Sequence, residues 1–454
     1  MSQTAAATAR LGDFVSDAAP PAGARARAAI AVLDTVGVTL AGASEPASLI
    51  VRQVVAAEGG DACGVFGTGA RASMSGAALA NGTAAHALDY DDMCFVSLAH
   101  PSAPLVPAVL AAAESEGLSG RAVLDAYVVG FEIEARLGRL MNPRHYQRGW
   151  HCTSTLGTIG AAAAVSRLLG LDARAAGHAL AIAASEASGL KENFGSMVKP
   201  LHAGLAARNG VVAALLAQAG MTASSAAIDG RQGFLTAMDS EHPSLDAFTA
   251  DLGSRWEIVE TGITVKLYPS CAGTHPTLDA LLDLRQRERF GAGDVEAIEI
   301  GVDPIVPTIL IYDQPSSGLE GKFSMPFCAA AAVVCGHVRI GTFDTAQLRD
   351  PAMVAMQARI TMRVDPTLDA SAPPLTQARV AVRLRDGRVL TASANGARGY
   401  PERPASDGEL ATKFTSCATQ TISASQAANA LATLRVIESV ADVRTLTALL
   451  RTQG

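Results

Sequence analysis

The feature that most restricts this chain is its supply of long apolar stretches built from small residues, such as GTIGAAAAVS at 157–166 and GVVAALLAQAG at 210–220. Alanine loses no side-chain freedom in a helix, and glycine lets two backbones touch, so such stretches favour closely packed helices. Apolar residues recur at helical spacing over 24–42, 74–88, 103–116, 121–140, 153–169, 174–188 and 201–219, with short glycine-containing connections between them. That alternation predicts a helical bundle. The chain has 454 residues, 49% hydrophobic and 17% charged, which is enough to bury a large core and long enough for two domains.

The pattern changes near Trp256. WEIVETGITVKLYPS, at 256–270, carries β-branched alternation and reads as a strand. A helix is expected over 275–290, a strand over 295–302, a helix over 322–338 and a strand over 358–364. Two further runs, 380–384 and 389–393, flank Asp386-Gly387, a strong hairpin signal. From Pro401 onward the chain reads as helical again, with a helix over 407–417. The expected architecture is therefore mainly α with a smaller α+β domain. A helical domain (1–265 and 398–454) would carry an α+β domain (266–397) inserted before its last helices.

A net charge of −7 without basic clusters leaves no footprint for nucleic acid. The N-terminal MSQTAAATARLGDFV lacks the basic and apolar regions of a signal peptide, and no run of about 18 apolar residues marks a membrane span. The seven cysteines are scattered, odd in number and without CxxC spacing, which fits a reducing cytoplasm rather than a disulfide framework or a cysteine-held metal. Phosphate-loop, dinucleotide and nucleophile-elbow motifs are missing.

What stands out chemically is 81–104, NGTAAHALDYDDMCFVSLAHPSAP. Three carboxylates, Asp89, Asp91 and Asp92, are followed by His100 and the proline that opens the next helix. Such an acidic run can be a solvated loop or a cation site, but it lacks the alternating ligands and central glycine of an EF-hand. Among nine histidines, His100, His242 and His275 precede proline, which places each at the positive end of a helix. An isolated His-Pro is more often a plain cap, and His242 is read that way. Lys199 and His202, in VKPLHAGLAARNG, sit at another helix start and form a candidate anion pocket; taken alone, Lys199 reads as a surface lysine. His151, in GWHCTSTLG, precedes a helix in the same manner.

In order along the chain, NGTAAHALDYDDM, AHPSAPLVPAVLAAAE, GWHCTSTLGTIGAAAA, VKPLHAGLAARNGVVAALL, KLYPSCAGTHPTLDALL and GLEGKFSMPFCAAAAVV resemble the characteristic segments of the MmgE/PrpD family. That family includes 2-methylcitrate dehydratase, cis-aconitate decarboxylase and iminodisuccinate epimerase. The resemblance implies a helical domain with an α+β lid, usually a homodimer, and a site between body and lid that works on di- or tricarboxylates without metal or organic cofactor. It implies catalytic roles for Asp89, His100, His151, Lys199 and His275, with His202 and Lys266 as substrate-binding neighbours. Asp91 and Asp92 are then read as structural. The leading expectation is dehydration of a citrate-like hydroxy acid, with decarboxylation, epimerisation or silent carboxylate binding as alternatives. The decarboxylase branch carries a tyrosine after the lid segment where this chain has Phe327, which speaks against decarboxylation.

Overall fold

The computed structural model describes residues 4–452 apart from Pro243. The proline after His242 therefore lies outside the described residues. The helices of ten residues or more are α1 (Thr4–Asp17), α2 (Ala22–Gly42), α3 (Pro46–Glu58), α4 (Met74–His86), α5 (Ser102–Glu116), α6 (Gly120–Met141), α7 (Cys152–Leu168), α8 (Ala173–Glu186), α9 (Val198–Gln218), α10 (His275–Glu288), α11 (Met325–Val334), α12 (Asp407–Ala418) and α13 (Ala424–Arg435). Their starts follow the residues: Ser73, Ser119 and Asp172 accept backbone N–H groups at the first turns of α4, α6 and α8. Ser406 with Glu409, and Ser423 with Gln426, form capping boxes on α12 and α13.

Small residues set the spacing in the body. A Cβ at Gly204 of α9 would stand 2.2 Å from Thr83 Oγ1 and 2.5 Å from the Leu79 carbonyl of α4. Only glycine permits that approach, and it brings the last turn of α4 beside the first turn of α9. The last helices pack back on the body: Phe414 of α12 lies against Gly37 of α2, and Lys413 pairs with the buried Asp34 at 2.7 Å.

The α+β part is built on a four-stranded sheet, β1 (Val295–Val302), β2 (Ile360–Val364), β3 (Gln377–Leu384) and β4 (Val389–Asn395), in the order β2-β1-β3-β4. β1 and β2 run parallel, and the other pairs are antiparallel. The Asp386-Gly387 turn joins β3 and β4 as the sequence predicts. Clean alternation on β3 buries Ala378, Val380, Val382 and Leu384. The fold is thus mainly helical with a smaller α+β portion.

Two local expectations fail. Residues 256–270 form no strand. One helical turn, Glu257–Glu260, is followed by an extended connector with a single bridge, Met93 to Thr264. A strand needs a ladder partner, and this segment is pinned by side chains instead: Glu257 by Arg139, and Lys266 by Asp89. The helix expected over 322–338 runs only over Met325–Val334. Ser324 caps its start by accepting from the Phe327 N–H, and Gly336, at φ 74°, stands just beyond its end.

Candidate active site

Asp89 occupies the turn after α4 in the left-handed region, φ 50°, where a non-glycine residue is uncommon. Its Oδ1 lies 2.8 Å from Lys199 Nζ and 3.3 Å from Lys266 Nζ, and its carbonyl accepts from Lys266 at 2.9 Å. Burial works to raise this carboxyl, but Lys199 and Lys266 hold it well below the usual carboxylate range. Lys199, in the first turn of α9, also reaches His86 Nε2 at 2.8 Å. His86 Nδ1 in turn meets Asp91 Oδ2 at 2.8 Å, and His100 Nδ1 approaches the same oxygen at 3.1 Å. Asp91 stays ionised against its own burial because both imidazoles face it.

The remaining histidines divide. His151 packs 5.7 Å from the His86 ring and meets His202 through their Nδ1 atoms at 3.0 Å. Burial, reinforced by Lys199, keeps His151 neutral, and burial lowers His202 to about 4. His100 is lowered to about 3, first by burial and then by Lys266, so it is a neutral imidazole.

A small cavity of about 20 Å³ is lined by Asp89, His100, His151 and Lys199. Met93, Leu98, Phe194, Ile309, Phe323 and Leu375 line it as well, with Tyr146, Cys271 and Ala272. Body and lid segments contribute together. Lys266 and His202 stand behind this lining rather than in it. Lys266 is fully buried and committed to Asp89, which suits it to setting charge rather than gripping substrate.

His275 is not brought to the cavity. Its Nε2 is 3.1 Å from the Ser270 carbonyl, and its ring lies edge-on to Tyr268 at 5.2 Å. Burial lowers it to about 3. Phe327 is also remote: it is fully buried against Phe343, so a hydroxyl missing there is not missing from the cavity.

Sequence reasoning passed over three residues. His86 looks like part of an apolar helix, yet His86, Asp89 and Asp91 lie three and two residues apart where a helix ends, close enough to converge. Asp91, read as structural, touches two histidines. Lys322, within the GLEGKFS segment, is buried and donates to the Leu88 and Pro269 carbonyls at 2.7 and 3.1 Å; burial lowers it to about 8.

Oxygens and nitrogens of His86, Asp89, Asp91 and His100 all lie within 4.8 Å of one another, a spacing a divalent cation could exploit. Lys199 Nζ already stands 2.8 Å from both His86 Nε2 and Asp89 Oδ1, so an internal ammonium takes the cation's place.

The MmgE/PrpD N-terminal domain matches residues 9–245, and the MmgE/PrpD C-terminal domain matches 268–439. The chain belongs to the MmgE/PrpD family. Its similar proteins include cis-aconitate decarboxylase of Mus musculus, 27% identical over 392 residues, covering 83% of this chain and 78% of that protein. The Homo sapiens cis-aconitate decarboxylase is likewise 27% identical, over 83% of this chain and 79% of its own. A cis-aconitate decarboxylase-like protein, oryM, of Aspergillus oryzae is 29% identical over 98% of this chain and 97% of its own. Within this MmgE/PrpD chain, both family domains contribute to the cavity: Asp89, His100, His151 and Lys199 from the first, Cys271, Ile309, Phe323 and Leu375 from the second.

Proposed function

We propose that this chain is a lyase that decarboxylates an unsaturated tricarboxylate of the cis-aconitate class. The observation that carries the reading is the mixed lining of the cavity: a cation and imidazoles together with Phe194, Phe323 and aliphatic side chains. Decarboxylation asks for both. A carboxylate pressed against an apolar wall is poorly solvated and gains by leaving as neutral carbon dioxide, while the charge it leaves behind needs preorganised donors. In the step, the carbon–carbon bond to that carboxylate breaks and its electron pair forms a new double bond. The old double bond delivers its pair to the far alkene carbon, which takes a proton from Lys199; solvent then restores the ammonium. His151 is placed to hold a retained carboxylate. The names of the similar proteins support the same class.

Dehydration of a 2-methylcitrate- or citrate-like hydroxy acid is the second reading. Its support is that His100, a neutral base, and Lys199, an acid, line one cavity, the pair that removing a proton and a hydroxyl requires. Incubation of the protein with cis-aconitate, 2-methylcitrate, citrate and iminodisuccinate, followed by proton NMR and carbon dioxide detection, separates these. We expect carbon dioxide release from cis-aconitate. Water loss from the hydroxy acids would put dehydration in its place, inversion would make the chain an epimerase, and binding without turnover would make it a carboxylate-binding protein.

A further inference from the structure

We propose that Asp91 sets the tautomers of two histidines at once, His86 and His100, and so prepares both the acid and the base of the cavity without lining it. A carboxylate only accepts hydrogen bonds, so a neutral imidazole that presents Nδ1 to it carries its proton there and leaves Nε2 bare. His86 presents Nδ1 to Asp91 Oδ2 at 2.8 Å, and His100 presents Nδ1 to the same oxygen at 3.1 Å. The His100 ring is tilted from the ideal hydrogen-bond line. At that tilt its Nδ1 completes no hydrogen bond among the described residues, and neither does the second oxygen of Asp91; a small rotation of the ring toward Oδ2, 3.1 Å away, satisfies Nδ1. One oxygen therefore serves both rings.

The consequences fall on the two Nε2 atoms. Bare, His86 Nε2 is the acceptor that Lys199 Nζ meets at 2.8 Å. The other tautomer would set an N–H against the ammonium and a lone pair against the carboxylate, two repulsions within one ring. His100 Nε2, also bare, stands 3.8 Å from Asp89 Oδ1, beyond hydrogen-bond reach, as expected for two acceptors. It is left free to take a proton from whatever occupies the cavity. Asp91 is thus a positioning residue for Lys199, through His86, and for His100 directly.

The tautomer assignment stands on geometry, and only its kinetic consequence rests on the reading of the cavity as an acid/base centre. Long-range proton–nitrogen NMR of the full chain labelled with 15N-histidine reads each tautomer without substrate, with His86→Gln and His100→Gln assigning the signals. In the wild-type protein we expect Nδ1–H on both rings. Asp91→Leu keeps the bulk but removes both acceptors, so at least one ring should switch to Nε2–H. We expect kcat to fall about 100-fold or more, the scale of an acid/base group, with KM within about threefold. An Nε2–H signal on His86 or His100 in wild-type protein overturns the proposal. So does an Asp91→Leu protein whose two tautomers or whose kcat are unchanged, the pattern of a merely structural carboxylate that lowers only Tm. Should Asp91→Leu fail to fold, the wild-type spectrum alone decides. Should the wild type turn over none of the four acids, the functional reading falls while the spectra still decide this one.

Discussion

Two ammoniums converge on one oxygen of Asp89, and one of them, Lys199, also faces His86 and the cavity. Removing Lys199 would leave Asp89 with Lys266 alone and His86 Nε2 without its donor, and removing His100 would take away the bare imidazole. Lys199→Ala should lower kcat/KM about 100-fold or more for either reaction, and His100→Ala should do so for the dehydration, where His100 is the base; near-wild-type turnover in Lys199→Ala would sink the assignment. His275→Ala supplies the contrast. It deletes a buried ring away from the cavity, so we expect a lower Tm with kcat within about threefold, measured on the folded fraction. Because Lys199 stands where a cation would bind, dialysis against a chelator should leave kcat unchanged, and activity lost and then restored by magnesium or iron would contradict that reading. Asp92 makes a prediction of a different kind. Burial raises its carboxyl to about 8, against hydrogen bonding from Ser102. Folded Asp92 keeps its proton where the unfolded group, at 3.8, has lost it. Its contribution to stability is full below the unfolded value and is lost as pH rises toward about 8. The Tm of Asp92→Asn relative to wild type should therefore climb from about pH 5 to about pH 8, and a flat difference would refute the raised carboxyl.

At the scale of elements, the site depends on how closely α4 and α9 cross. Gly204→Ala would drive a methyl group into the Leu79 carbonyl and the Thr83 hydroxyl, so the helices must part and Lys199 must leave His86 and Asp89. We expect a loss of about 1–3 kcal/mol by chemical denaturation and a fall in kcat beyond that of the control. The control is Gly177→Ala in α8, where a Cβ meets nothing within 4 Å and should stabilise by about 1 kcal/mol. Equal behaviour of the two variants would remove the crossing from the argument. This crossing also marks what the sequence could disclose. Small-residue periodicity exposes the helices themselves, because it is local, and Asp386-Gly387 exposes its hairpin for the same reason. The segment at 256–270 misleads because β-branched alternation reports a tendency, whereas a strand also needs a neighbour that only the tertiary fold supplies. His86 hides because a histidine among alanines looks like core until Lys199, 113 positions away, is laid against it. His275 misleads in the opposite sense: the same His-Pro helix start as His100 leads to the Ser270 carbonyl instead of the cavity.

For the whole molecule, the decisive quantity is the volume between body and lid. About 20 Å³ holds little more than one water, far below the several hundred cubic ångströms of a usual ligand site. A tricarboxylate needs more room than this, and we expect the two parts to separate to admit it. A second cleft of about 340 Å³ backs onto the cavity. Leu88, Pro200 and Lys322 line that cleft, while their chain neighbours Asp89, Lys199 and Phe323 line the cavity, so three stretches of backbone separate the two spaces. Lys322 ties this wall by donating to the body carbonyl of Leu88 and the lid-side carbonyl of Pro269. Farther along the seam, the Tyr312 hydroxyl donates to the Phe194 carbonyl at 3.0 Å. These few polar ties can open and re-form, whereas the ladders of the sheet cannot open without unfolding the lid. Hydrogen exchange with and without a non-reacting tricarboxylate should therefore show ligand-induced protection concentrated in residues 190–199 and 309–323, with the amides of β3 and β4 unchanged. Uniform protection across the lid would mean that the whole lid is stabilised rather than closed, and no change at the seam would mean that the acid reaches the cavity without the two parts separating.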